Sequence, residues 1–265
     1  MIALNAKSRF DILQAVKSGA GFCLLHWRYL FATGTIAIAA DIVTTLALQM
    51  IPHEFTMLEA FLCNLPATAI SAWLMAITTR LAILNEKITD GGKNLIAAAE
   101  RQEDLHLCIL IWLVFNMGFI FVISGLDWAG RMVETANTAG TEPPPAAAVI
   151  GMLLIGAAFW AARFSVAHLL AAVGYPIKKF IFMVNGPGFS FRLIAMALVI
   201  FIPCFSIFRV VLGALAPALD GSANIGGLTF FAITVVTGLF NFFITILTTA
   251  SAAFALKEML GREGA

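Results

Sequence analysis

The chain has 265 residues, a formal net charge of +1, and 12% charged against 61% hydrophobic residues. With a mean hydropathy of +0.95 it carries about half the charge of a soluble globular domain, and its near-neutral balance argues against a nucleic-acid partner. Long apolar runs recur throughout, without the roughly ten-residue alternation of a membrane β-barrel. The expected fold class is therefore an all-α integral membrane protein, because hydrocarbon leaves backbone polar groups no partner but the helix itself.

In chain order, SRFDILQAVKSGAGF places Phe10, Leu13 and Val16 three residues apart on one broad helical face. That spacing predicts an interfacial helix over about 8–24, lying on the membrane surface. The same stretch has no uninterrupted apolar run with a small-residue cleavage site behind it, so it is not read as a signal peptide. The first span is expected at 29–50, and IAIAADIVTTLALQM within it holds Asp41. Asp41 lies 13 residues beyond Arg28, so ~20 Å into the membrane at ~1.5 Å per residue. An ionised carboxylate there costs a few kcal/mol unless it is protonated, hydrated or paired. Gly34, Ala37, Asp41 and Thr45 form a small and polar stripe of the kind that faces other helices.

The second span, 58–79, holds Asn64 and Pro66 and closes on RLAILNE. The following segment, 86–104, mixes Glu86, Asp90, Glu100, Glu103 and Asp104 with Lys87, Lys93 and Arg101, Arg80 standing just before it, which suits a solvated helix or a protein partner. KNLIAAAERQEDL precedes the third span, 107–126, which carries Asn116; TANTAGTEPPPAAA then reads as a proline-punctuated connector. The fourth span is expected at 147–173. Arg163, His168, Lys178, Lys179 and Arg192, interleaved with Tyr175, Phe180 and Phe182, follow as a basic and aromatic cluster at headgroup level. Anionic lipid is attracted to such clusters by ~1 kcal/mol per basic residue. The fifth span, 192–216, carries Pro203 and Arg209, and the sixth, 228–252, carries Thr234, Gly238, Asn241, Thr245 and Thr248. Gly186-Pro187-Gly188 reads as a turn between helices.

Fourteen of the 16 lysines and arginines flank the same ends of these spans, leaving Arg131 and Arg209 elsewhere. The positive-inside rule then puts both termini in the cytoplasm, the expected setting being a bacterial inner membrane. Arg209 lies 17 residues after Arg192, ~26 Å along its span and within about one turn of the depth of Asp41. Two readings follow: Asp41 and Arg209 form a structural pair, or Asp41 is a proton or cation site. The three cytoplasmic segments, each followed by a span out and a span in, also suggest three repeated hairpins with a period of about 80 residues.

RLAILNE at 80–86 and ARFSVAHLLAAVGYPIKKFIFMVNGPGFSFRLIAMALVIFIP at 162–203 resemble a group of poorly characterised bacterial six-span inner-membrane proteins. The group is similar to the membrane domain attached to some glycerophosphodiester phosphodiesterases and to the YciC-like proteins. The resemblance implies a fold and a location; it brings no catalytic residues.

The cysteines, Cys23, Cys63, Cys108 and Cys204, stand singly, and the histidines are dispersed, so neither a zinc site nor another metal or cofactor is indicated. HExxH and GxSxG are absent and no paired-aspartate motif appears, so an enzyme is disfavoured. The leading expectation is a non-enzymatic protein that binds lipid or assists a membrane process. The alternative is a small proton- or ion-coupled transporter using Asp41. Transport calls for a polar, water-reachable cavity at Asp41, and a scaffold for its burial against Arg209.

Overall fold

The structure, a computed structural model, describes residues 10–51, 56–87, 95–138, 142, 144–184, 187–219 and 226–261. Among these the regular elements are all helical: α1 (Ile12–Leu25), α2 (Trp27–Met50), α3 (Met57–Leu84), α4 (Leu95–Thr138), α5 (Pro145–Ala161), a 3-10 segment (Ala162–Val166), α6 (Ala167–Ala172), α7 (Ile177–Met183), α8 (Pro187–Leu219) and α9 (Gly226–Met259). Six stretches are long and apolar enough to cross a membrane: Trp27–Met50, Met57–Leu84, Arg101–Thr138, Pro145–Ala172, Pro187–Ala214 and Phe230–Met259. Each overlaps one of the six expected spans. Val43, Leu110, Phe121, Ile155 and Val210 point outward, and apolar surface on this scale is stable only against hydrocarbon. Lys7, Arg9, Lys93 and Arg262 of the basic count, with His53, Asp90 and Gly186, lie outside the described residues.

Two expected boundaries move. The third span is part of a 44-residue helix, ~66 Å long at ~1.5 Å per residue and about twice the hydrocarbon thickness. It takes in the amphipathic segment before the span and the first residues of the connector, to Thr138; between span and connector, Asp127 and Arg131 pair at i, i+4, 2.9 Å apart. The hairpin plan, amphipathic helix then span, therefore holds for α1–α2 and α7–α8 but not for α4, where the two are continuous. Pro187 and Gly188, read as a turn, are instead the first residues of α8; proline suits that position because its missing N–H has no intrahelical partner to lose.

The buried face of α1 also differs from the expected one. Phe10 is buried, but Leu13 is 70% exposed, and the helix packs through Ala15, Gly19 and Phe22. Small side chains decide this. A Cβ at Gly19 would stand 2.4 Å from Ser251 Oγ and 2.7 Å from its backbone N, so glycine lets α1 and α9 approach backbone to backbone. α1 is thus docked on α9, with Leu13 left on its exposed side.

The core is concentrated at the end that carries most of the lysines and arginines, here termed the basic end. Phe10, Leu170, Phe180, Phe189, Leu256 and Met259 form one cluster there, and Leu30, Leu74, Leu81, Ile83, Ala250 and Ala253 form another. On α3 nearly every residue from Ala72 to Ile83 is buried, whereas between Met57 and Ser71 only Phe61 and Ala67 are. The helices close at the basic end and loosen toward the other.

A polar latch holds the closed end. Asn85 caps α3 in the left-handed conformation, φ 56°, which asparagine tolerates better than most residues. The turn folds Glu86 back beneath its own helix, so Arg80 Nη2 and Nε donate to Glu86 Oε2 at 2.8 and 3.0 Å. Arg80 Nη1 donates to Asp104 Oδ2 on α4 at 3.2 Å and to the Ala172 carbonyl of α6 at 2.6 Å. α6 ends on Gly174, φ 65°, with Gly174 N bonding Ala171 O at 3.0 Å and Tyr175 N bonding Leu170 O at 2.9 Å. That Schellman ending leaves the Ala172 carbonyl spare, and Arg80 takes it. Glu86 and Asp104, expected in a solvated or partner-binding loop, therefore tie three helices together. Residues 88–94 of that loop lie outside the described residues.

Candidate functional site

Where the packing begins to loosen, α2, α3 and α9 line an open cavity of about 300 Å³ with one ring of α4, Trp112, on its wall. Asp41, Asn64, Asn241 and Thr245, all expected as polar groups inside the spans, line it together. Thr68 and Ser71 join them from α3. Sequence reading missed these two, although Asn64, Thr68 and Ser71 repeat at 4-3 spacing, the same signal that marked α2 and α9. Thr45 and Asn116 are partly exposed and not part of the lining. Asn116 Nδ2 donates to the Trp112 carbonyl of its own helix at 2.8 Å.

Asp41 is paired with an amide rather than with a cation. Asn241 Nδ2 donates to Asp41 Oδ2 at 3.0 Å. Glycine makes this approach possible: a Cβ at Gly238 would sit 3.0 Å from Ile42 and 3.7 Å from Asp41 Oδ2. The expected Asp41–Arg209 pair is not formed; Arg209 is exposed on α8 and makes no ion pair among the described residues. The reason lies in helix order. α9 turns Phe242 to Phe31 of α2 and Phe240 to Phe201, Phe205 and Phe208 of α8, so a shared depth does not bring Asp41 and Arg209 together.

The chemistry of the lining is oxygen-rich. Asp41 Oδ1 takes no hydrogen bond from the described residues. Asn64 spends its NH₂ on the Ala60 carbonyl at 2.8 Å, which leaves its own amide oxygen as an acceptor. Thr68, Ser71 and Thr245 add hydroxyls, and among the described residues no lysine, arginine or histidine lines the cavity. A single carboxylate among neutral oxygens is balanced by a single positive charge.

The expected headgroup cluster separates into different roles. Lys178 and Lys179 are exposed on α7, in reach of lipid. Arg192 Nη1 instead donates to the Phe10 carbonyl ahead of α1. Arg163 is 9% exposed, its guanidinium 3.8 Å from the Trp160 ring centroid and 5.1 Å from that of Phe164, a cation–π arrangement. His168, expected at the interface, is only 4% exposed. The 3-10 segment carries the fourth span past Arg163 into α6, which packs against α3 and α4 beside the Arg80 latch and draws the imidazole inside. Comparison with protein-family models, curated proteins and solved structures finds no match.

Proposed function

We propose that the protein is a small cation-coupled membrane transporter whose ion site is the Asp41 cavity. The observation that carries this reading is the convergence of Asp41, Asn64, Asn241 and Thr245 from three spans on one cavity with no opposing positive side chain among the described residues. A carboxylate placed within a membrane span for structural reasons is ordinarily neutralised by a partner, and Asn241 supplies only a dipole. The looser packing beyond the cavity supports access from the end opposite the basic one. Positive-inside counting supports an entrance on the outer face of a bacterial inner membrane. The motif resemblance to six-span bacterial membrane proteins fits the same location.

The test uses a cysteine-free background with Thr245→Cys or Ser71→Cys in sealed vesicles. The thiol is challenged with a membrane-impermeant cationic methanethiosulfonate and with its anionic counterpart, each rate normalised to a free thiol. The cationic reagent should react at least tenfold faster, and Asp41→Asn should remove the preference. Equal rates, or no reaction from either side, would refute a cation site there.

One observation favours a lipid-binding reading as the second. A groove of about 560 Å³, lined by Cys23, Leu24, Trp27, Phe31, Cys204 and Phe243 among others, is almost wholly apolar and suits an acyl chain.

A further inference from the structure

The Asp41 cavity is larger than a metal ion needs, and its two ends differ. Along α3 the lining runs from Asn64 to Leu74, ~15 Å at ~1.5 Å per residue. The volume of about 300 Å³ is the space of about ten waters at ~30 Å³ each. Magnesium and calcium are gripped by oxygens at ~2.0–2.6 Å, so a bare metal ion would touch one side of this space and leave the rest to water. On α3, Asn64 is followed toward the basic end by Thr68, Ser71 and then Leu74; on α2, Asp41 is followed in the same direction by Ile38 and Ala37. On both helices the polar groups therefore lie toward the looser end and the hydrocarbon toward the closed one. Ala37, Ile38, Leu74 and Phe242 are buried, and Trp112 and Ile244 extend the apolar wall.

The polar groups present acceptors. Asn241 and Asn64 each spend an N–H, on Asp41 Oδ2 and on the Ala60 carbonyl. Each keeps its amide oxygen, and Asp41 keeps Oδ1. A primary ammonium carries three N–H donors and no acceptor, the complement of three such oxygens. A metal ion or a proton would also balance the carboxylate, but neither has anything to set against the apolar wall. Side chains facing unfilled space forfeit dispersion contacts, and a hydrocarbon body leaving water for that wall would restore them.

We propose that the cation taken by this cavity is a small primary amine with an alkyl or aryl body, its ammonium at Asp41 and its hydrocarbon turned toward Ile38 and Leu74. This rests on reading the Asp41 cavity as a cation site, and adds the chemical class of the cation. Charge selects for the ammonium at one end, and the apolar wall selects for the body at the other. Pockets that bind small molecules share this build, a mostly apolar lining with a few placed polar groups.

The test is isothermal titration calorimetry of the detergent-solubilised protein, corrected for protein-free micelles. The probes are phenethylammonium, methylammonium and sodium chlorides and uncharged phenethyl alcohol. Phenethylammonium should bind. Methylammonium, which keeps the charge without the ring, and phenethyl alcohol, which keeps the ring without the charge, should each bind at least tenfold more weakly. Asp41→Asn should weaken phenethylammonium by about tenfold or more. The amine should also slow labelling of Thr245→Cys by the cationic thiol reagent, which locates it in this cavity. Absent phenethylammonium binding overturns the proposal, as does binding no tighter than that of methylammonium, sodium or the alcohol. Undiminished binding in Asp41→Asn, or unslowed labelling, overturns it too. If Asp41→Asn does not fold, the alcohol comparison decides the role of charge in its place. A failed amine titration alongside cation-selective labelling would leave the Asp41 site to an inorganic cation, whereas failure of both would remove the site itself.

Discussion

Replacing Arg80 with alanine should lower the melting temperature of the detergent-solubilised protein by about 6–12 °C. The largest part comes from the Ala172 carbonyl, which receives Nη1 at 2.6 Å and would be left buried without a donor, costing ~1–3 kcal/mol. Glu86 and Asp104 are 40% and 28% exposed; they regain water, so their pairs together add only ~1 kcal/mol. A loss of ~3 kcal/mol corresponds to that temperature shift at ~2–4 °C per kcal/mol for a chain of this size. Arg80→Lys should recover only part, since an ammonium cannot serve Glu86, Asp104 and the carbonyl at once. The assay is thermal unfolding by tryptophan fluorescence, with Glu86→Gln and the double variant completing a cycle. A shift below about 2 °C in Arg80→Ala would refute the latch. So would strictly additive single and double effects between Arg80 and Glu86.

Three further outcomes follow from the α1 end. Gly19→Val should destabilise by about 1–3 kcal/mol through overpacking, because the new Cβ meets the Ser251 backbone; increased protease cleavage near the N-terminus would report the undocking of α1. Burial pushes the Cys23 thiol from 9.0 up to about 12, so at pH 8 it should resist N-ethylmaleimide until the protein unfolds, as read by mass spectrometry. Since the folded value is the higher one, the stabilisation is complete below pH 9 and lost between about 9 and 12, and Cys23→Ala should flatten that alkaline decline. Burial and then the charge of Lys87 hold His26 below its ordinary 6.5. The folded form therefore gains most from a neutral His26 above pH 6.5 and loses that gain on acidification, and His26→Gln should weaken the decline in melting temperature below pH 6.5.

Much of the architecture was legible in the chain because membrane helices obey local rules. Twenty or so apolar residues span hydrocarbon whatever their neighbours are, and charge placement depends on the interface alone. The polar interior was half legible for the same reason: Asp41, Asn64, Asn241 and Thr245 are costly against lipid, so each had to face inward. Which partner each would meet was not. Depth along a helix can be counted from residue numbers, but the rotation and order of helices depend on close contacts such as Gly19 with Ser251 and Gly238 with Asp41. Those contacts put Asn241 rather than Arg209 beside Asp41. Likewise Arg80, one basic residue among many in the sequence, became a latch only because a left-handed turn at Asn85 and the spare carbonyl of Ala172 meet it in space. Composition and spacing thus determined that the protein spans a membrane six times with polar groups inside. Tertiary packing alone decided that those groups form a cavity, and that its inner wall is apolar, because a cavity is a relation between helices distant in sequence.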